Sequence, residues 1–371
     1  MAHRRMMAWA LAMAGLALTA EAADLRTVTK ALFQVPSTTG NEEMLAAEIR
    51  GLLPRTASVE TAGLGTIAVR LGGSPGPTLI IAALDGYGHI VSGVTPEGYL
   101  TLDRPVPAPN EHFDAFLLGQ PVIVSTAKGP VRGVVSQPAI HLLTPERRKT
   151  LVEGFSLETA FVDIGARSAA EARAKGVELL DPVTFPAVMT ELAGDQWAGP
   201  GLGQKAVAAA LVAVANAVAG RTGGEETVIA WAAQTKFNAR GRGIRPSIGA
   251  AQAKSRWRPR RVVAVDLMAA GKNGGFPILG GGPAVVQAWD EGSQALPDAL
   301  KGPARAAGIP FQSEVGPGSP LVIPFTDLNN DYITVALPVE FLNTPSEVIS
   351  IRDLQALHDL LVHFLQSGGA K

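Results

Sequence analysis

Apolar positions recur along this chain with two periods, and the switches between them set out its organisation. Asp24 to Gln34 carries a helical repeat. A second helix is predicted over Glu42 to Leu53, with Asn41 as its cap and acidic residues in the first turn, where they favour the helix dipole. Ser58 to Thr61, Thr66 to Leu71 and Thr78 to Leu84 have the apolar, β-branched texture of strands. The last of these reads as a buried strand and ends in a lone carboxylate, Asp85, followed by Gly86 and Gly88. Open α/β sheets place their chemistry at the carboxyl ends of such strands. The plainer alternative is a turn that Asp85 caps.

From Gly93 to about Phe185 the texture changes. Short β-rich pieces (Gln120 to Thr126, Val131 to Val135, Ala160 to Ile164) alternate with Gly and Pro, and few helical periods occur. This predicts a small β domain over 88–186, inserted into an α/β domain formed by 23–87 and 187–371. After it come an Ala-rich buried helix (Ala206 to Ala219), strands at Thr227 to Ala233, Arg261 to Leu267 and Tyr332 to Ala336, and a last helix lined by Leu354, Leu357, Leu361 and Phe364.

Composition narrows the chemistry. With 371 residues, 47% of them hydrophobic, the chain can bury two cores, and a formal net charge of -1 gives no field that would gather nucleic acid or anionic membrane. The absence of cysteine removes disulfides, thiolate metal sites, a cysteine nucleophile and a lipoprotein anchor. At the start, His3-Arg4-Arg5, the apolar stretch Met6 to Ala20 and Ala20-Glu21-Ala22 have the order of a cleavable secretory signal, residues 1–22. The expectation is export to the periplasm or medium, with no stable membrane anchor.

The ordered motifs carry a resemblance. Pro36-Ser37-Thr38-Thr39-Gly40, the strand ending at Asp85, Phe161 to Ala166, Gly176-Val177, Asp181 to Phe185, Val263 to Asp266, Leu279-Gly280-Gly281-Gly282-Pro283 and Thr344-Pro345-Ser346-Glu347 follow one another as they do in the tetrahedral (glutamyl or deblocking) aminopeptidases. Some members of that family are labelled endoglucanase M. The resemblance runs from about Leu32 to Leu365. It implies a three-layer α/β/α fold with a mixed sheet of the zinc-exopeptidase type, and an inserted small β-barrel, PDZ-like or PTB-like, that helps build homo-oligomers.

It also implies two divalent ions held by carboxylates and imidazoles, with a glutamate as general base. Matched position by position, this chain departs from that pattern. The histidine of the family's His-x-Asp falls at Ala83, and the aspartate behind it is Asp85. The bridging aspartate falls at Gly203, the paired glutamates at Thr235 and Lys236, and the last histidine at Asn343. One metal-ligand position, Asp266, keeps its aspartate. Alanine and glycine offer no side-chain donor, lysine repels a cation, and threonine is no base near neutral pH. Of the five histidines after the signal, only His89 follows the site region closely, and it reads as a residue backing the site or lying in a loop rather than as a ligand. Thr235 has no evident histidine partner in the sequence, so a serine or threonine hydrolase has little support.

Two further expectations concern charge. Nine basic residues and no acidic one lie between Lys236 and Arg261, including Arg240, Arg242, Arg245 and Arg256, which suits a solvated helix or an edge that binds anions. A carboxylate stripped of its metal needs a proton or a cationic partner, so the Lys236 ammonium is expected near Asp266 or Asp85. The reading carried forward is an exported homologue with a decayed metal site, a pseudopeptidase that binds peptides or acts as a scaffold. Lys236, Arg240 and Asp266 are its candidate ligand-binding residues; it has no metal or other cofactor, and peptides or anionic small molecules are its partners. The alternatives are an aminopeptidase working through a rearranged or mononuclear zinc or cobalt site, and a non-metal hydrolase.

Overall fold

The computed structural model describes residues 24–368 except 56, 73, 138, 147, 150–153, 221–224, 238–246, 272–275, 289–294 and 327–330. The signal segment 1–22 lies outside the described residues, as do Arg240, Arg242 and Arg245. The chain divides into two compact units. One holds Tyr87–Ala187 with Asn343–Pro345, and the other holds the described residues up to Gly86, Val188–Leu342 and the described residues from Ser346 onward.

In the larger unit, α1 (Leu25–Phe33) and α2 (Glu43–Leu52) precede β1 (Ser58–Thr61), β2 (Ile67–Leu71) and β3 (Ser74–Ala83). Helix α2 starts one residue later than the pattern predicts. Glu42, not Asn41, stands at its N-cap, because Asn41 is taken into a turn closed by its amide on the Thr38 carbonyl at 2.8 Å. The smaller unit is a barrel closed in the order β4 (His89–Val94), β5 (Leu100–Asp103), β8 (Phe161–Asp163), β7 (Gly129–Ser136), β6 (Pro121–Thr126) and β9 (Pro182–Thr184). Its inward positions, among them Val91, Leu100, Val122, Val124, Val135 and Val162, form a separate core. The short helix α3 (Ala169–Ala174) starts at Ser168, whose hydroxyl accepts the Glu171 amide at 3.2 Å.

The larger unit then continues through β10 (Thr190–Leu192), β11 (Gln196–Gly199), α4 (Leu202–Val218), β12 (Glu225–Ala232), α5 (Ile248–Trp257), β13 (Arg261–Ala269), β14 (Ala284–Ala288), α6 (Ala295–Ala306), β15 (Gln312–Gly316), β16 (Asp331–Glu340), β17 (Glu347–Ser350) and α7 (Ile351–Gln366). Its eleven-stranded mixed sheet runs β1-β2-β12-β3-β13-β16-β17-β11-β10, with β14 and β15 beside β16. The fold is the three-layer α/β/α arrangement that the sequence implies. On one face Leu79, Ile81, Val228, Ala230, Val262 and Ala264 pack with Ala250, Ala253 and Trp257 of α5 and with Phe325. Successive side chains of a strand point to opposite faces, so Trp231 turns the other way, where its indole donates to the Ala208 carbonyl of α4 at 3.1 Å. Helix α4 is buried almost all round, as its Ala/Val composition requires, and the amide side chain of Asn216 donates to the Leu52 and Val212 carbonyls.

The Gly280-Gly281-Gly282 motif has a structural reason. Gly282 has φ +87°, and a Cβ there would lie 2.3 Å from the Pro310 carbonyl oxygen. The amides of Gly280 and Gly282 each donate to the buried Asp353 carboxylate at 2.7 Å, which fastens this loop to the first turn of α7.

Candidate functional site

Parallel pairing brings the site residues together. β12 and β3 run in register to Ala232 beside Ala83, so the residues just past both ends, Asp85 and Thr235-Lys236, come side by side. Asp85 is fully buried. Its Oδ1 accepts the Thr235 amide at 2.8 Å and the Thr235 hydroxyl at 2.6 Å, while its Oδ2 accepts the Thr39 hydroxyl at 2.8 Å and the Lys236 amide at 2.9 Å. A carboxylate has about four lone-pair sites, and these neutral donors occupy all of them. The main chain of Lys236 thus contacts Asp85 directly. The loop before α2 is stitched to the same place: the Ser37 hydroxyl donates to the Leu84 carbonyl at 2.6 Å, and the Thr39 amide donates to the Gly86 carbonyl at 3.3 Å.

A second buried carboxylate, which the sequence reading did not single out, joins this knot. Glu42 Oε1 accepts the amides of Gly40 at 3.0 Å and Gln234 at 2.8 Å. Burial pushes its carboxyl up to about 7; the Gly40 amide opposes that shift and the nearby Asp85 charge adds to it. The folded protein therefore holds this proton more tightly than the unfolded chain does. Between the unfolded value of 4.5 and about 7, unfolding releases a proton, so rising pH lowers stability across that window. Glu42→Gln removes the effect. The variant is expected to gain up to about 3 kcal/mol over the parent at about pH 8 and little at about pH 4.5. Urea melts of both proteins at the two pH values check this, and parallel stabilities would contradict it.

Asp266 lies on β13 two residues past the last pairing of that strand with β3, Ala264 beside Ile81. Its Oδ1 accepts the Leu267 amide at 2.9 Å and its Oδ2 the Ser319 hydroxyl at 2.5 Å. Ser319 is itself buried and fixed, its amide donating to Thr334 Oγ1 at 2.8 Å. No sequence signal pointed to Ser319, because only the loop between β15 and β16 brings it to Asp266.

The start of α4 carries Gly203, the position matched to the bridging aspartate. Gly203 donates its amide to Glu347 Oε2 at 3.0 Å. A Cβ on Gly203 would meet Val339 Cγ2 at 3.0 Å and both Leu267 methyls at 3.1 Å, so apolar side chains fill the space an aspartate there would need. Gln204 turns its amide to the Ala83 carbonyl. Lys205 is buried, its Nζ has no hydrogen-bond partner, and desolvation brings its amine down to about 7. Gly203→Asp would force Leu267 and Val339 to move and would set a new carboxylate beside Glu347. It is expected to cost about 3 kcal/mol and to create no zinc site. Thermal melts with and without zinc test this; a variant that zinc stabilises would contradict it.

His89 belongs to the barrel unit, where its Nε2 pairs with Asp114 at 3.0 Å and its ring stacks on Phe113. Asn343 falls with the same unit and takes a left-handed φ of 63°, which asparagine tolerates. In the basic stretch, Arg256 pairs with Glu60 at 3.1 Å and Arg261 with Glu225 at 3.0 Å. Among the described residues, no group of three or more His, Asp or Glu side chains is placed to hold a metal ion. The donor set present does not fit a dinuclear centre: Asp85 is saturated by neutral donors, Asp266 is engaged by Ser319, and Ala83 and Gly203 supply no side-chain donor.

A large mixed sheet with chemistry-bearing strand ends, accompanied by a closed six-stranded barrel, is the architecture of a class of aminopeptidases. The profile of the M42 glutamyl aminopeptidases matches residues 65–360. The chain belongs to this family. It is 26% identical to SgcX of Escherichia coli (strain K12), whose name assigns it provisionally to the aminopeptidases, over 78% of this chain and 79% of that protein. FrvX of the same organism, named in the same way, is 24% identical over 90% of this chain and 93% of its own length. Among solved structures, the TET1 peptidase of Pyrococcus horikoshii superposes with a TM-score of 0.79 at 25% identity, covering 92% of this chain and 98% of that one. That peptidase can assemble into a tetrahedron or a large octahedral shell.

Proposed function

We propose that this chain is an exported M42-family protein whose metal chemistry has been replaced by a hydrogen-bonded structural knot. It acts as a pseudopeptidase that binds peptides or serves as a scaffold. The observation that carries this reading is the pair formed by Asp85, saturated by Thr39, Thr235 and Lys236, and Gly203, closed over by Leu267 and Val339. A catalytic metal site keeps an open position and anionic ligands around it. Here the surviving carboxylates are spent on neutral donors, and the position matched to the general base is Thr235, whose hydroxyl donates to Asp85. The family's assembly is carried over as self-association of this chain through the scaffold that outlives the chemistry.

The test is turnover of aminoacyl and short-peptide substrates by the mature protein, alone and with zinc or cobalt added. The expected result is no cleavage above the protein-free rate under any of these conditions. Cleavage that a chelator abolishes and metal restores would overturn the reading. Calorimetric titration with unlabelled peptides of the same set then separates a peptide binder, which gives saturable heat, from a scaffold, which gives none.

A further inference from the structure

We propose that the open edge of β1, with the groove between it and α5, binds an extended peptide that carries an apolar residue near an acidic one. The inference deepens the peptide-binding reading above, on which it rests, by giving the peptide a place at the sheet margin. β1 ends the sheet order and pairs only with β2. One step beyond the pair of Thr61 with Ile67, the Ala62 amide donates to the Thr66 carbonyl at 2.8 Å. Hydrogen-bonded and non-bonded pairs alternate along an antiparallel ladder. Ser58 and Glu60 therefore turn their main-chain groups to β2, while Val59 and Thr61 turn theirs to the open edge. Ser58, Val59 and Thr61 are exposed. Amides and carbonyls left without a ladder partner are what an added strand recognises.

An open groove of about 680 Å³ lies beside this edge, its walls including Thr61, Ala62, Ile248, Ala251, Gln252 and Arg256. That volume is in the range of ligand sites. Its α5 residues share one helix face, while Ala250, Ala253 and Trp257 take the face packed on the sheet. Ala62, Ile248 and Ala251 make an apolar seat for a side chain of the added strand. Gln252 lays its amide over Gly63, where a Cβ would come within 2.9 Å of the side-chain oxygen. That oxygen is buried and has no donor among the described residues. The last torsion of a glutamine is soft, so rotation lets a bound N–H satisfy it. Charge selects the acidic residue. Both Glu60 oxygens are engaged, one by Arg70 and the other by Arg256 and the Trp257 indole. Arg256 is about half exposed and spends one of its five donors on that contact. Arg50 brings a second guanidinium to the Thr61 hydroxyl at 2.9 Å. A carboxylate on the peptide complements this rim.

The experiment measures, by fluorescence anisotropy, the binding to the mature protein of two labelled, end-capped octapeptides of alternating threonine and valine. Each has a central leucine, with aspartate two positions before it in one and two positions after it in the other. At least one is expected to bind saturably with a Kd below about 1 mM. Methylating its alternate backbone amides is expected to abolish that binding. Val59→Pro removes an amide that β2 does not use, on an edge strand where proline is tolerated. It is expected to weaken binding roughly tenfold. Ser255→Trp fills the groove from an exposed position of α5 and gives the same loss should the proline variant not fold. Arg256→Gln is expected to weaken the aspartate peptide about threefold and its asparagine counterpart not at all. Binding that Val59→Pro and Ser255→Trp leave unchanged would overturn the inference and keep the peptide-binding reading, with the peptide seated elsewhere. No binding of either peptide would overturn it and leave the scaffold role standing. A fall in the parent's mass by light scattering on Val59→Pro would give the edge to a second copy and overturn it as well.

Discussion

Replacing Asp85 by alanine is expected to lower the stability of the larger unit by about 4 kcal/mol. The carboxylate is fully buried and accepts from Thr39, from Lys236 and twice from Thr235. The two hydroxyls can rotate toward other acceptors, but the amides of Thr235 and Lys236 are fixed by the chain, and each buried donor left unpaired costs about 1–3 kcal/mol. Asp85→Asn keeps one acceptor oxygen and faces the remaining donors with an NH2 group, so it is expected to cost about half as much. Urea denaturation of the parent and both variants measures this as a shift in midpoint at constant slope. An alanine variant within about 0.5 kcal/mol of the parent would show that the knot contributes nothing.

The second large effect has the opposite sign. Lys205→Met is expected to stabilise the fold by about 3 kcal/mol at neutral pH, because it removes a buried amine with no partner and keeps the apolar stem. Its pH dependence follows from the direction of the shift. The folded amine titrates near 7 and the unfolded one near 10.5, so between those values the unfolded chain binds the extra proton. Stability of the parent therefore rises with pH through that window, and the penalty is complete below it. Melts of parent and variant between about pH 7 and about pH 10 should show the gap closing as pH rises. A variant less stable than the parent at neutral pH would mean that the amine has a partner in the native protein.

Much of the sheet is legible in the sequence, and the exceptions share a cause. β1 matches its predicted span, and the predicted core of β13 extends by two residues. β3 begins at Ser74, four residues before the predicted start, because Ser74 pairs with Glu225 across a register irregularity that precedes the Thr78–Thr227 pair. β14 and β15 were not read at all. The first is a five-residue apolar piece after a glycine loop, and the second, Gln312–Gly316, is mostly exposed and gains strand form only from pairing with the first.

The site divides in the same way. Asp85 and Asp266 are marked by apolar strands that end in a carboxylate. Glu42 looked like an ordinary acid at a helix start, and its burial comes from residues nearly two hundred positions away, at Gln234. The resemblance places a glycine, Gly203, where the family has a ligand in the Leu202-Gly203-Gln204-Lys205 stretch. That Leu267 and Val339 occupy the space, and that Lys205 is sealed in beside it, follows only from how α4 packs.

The central claim is that the site no longer holds the metal pair of its family. Its most direct test is elemental analysis of the mature protein, purified without chelator and again after dialysis against zinc and then cobalt. The account predicts well below one ion per chain in every case. One or two tightly held ions per chain would contradict it.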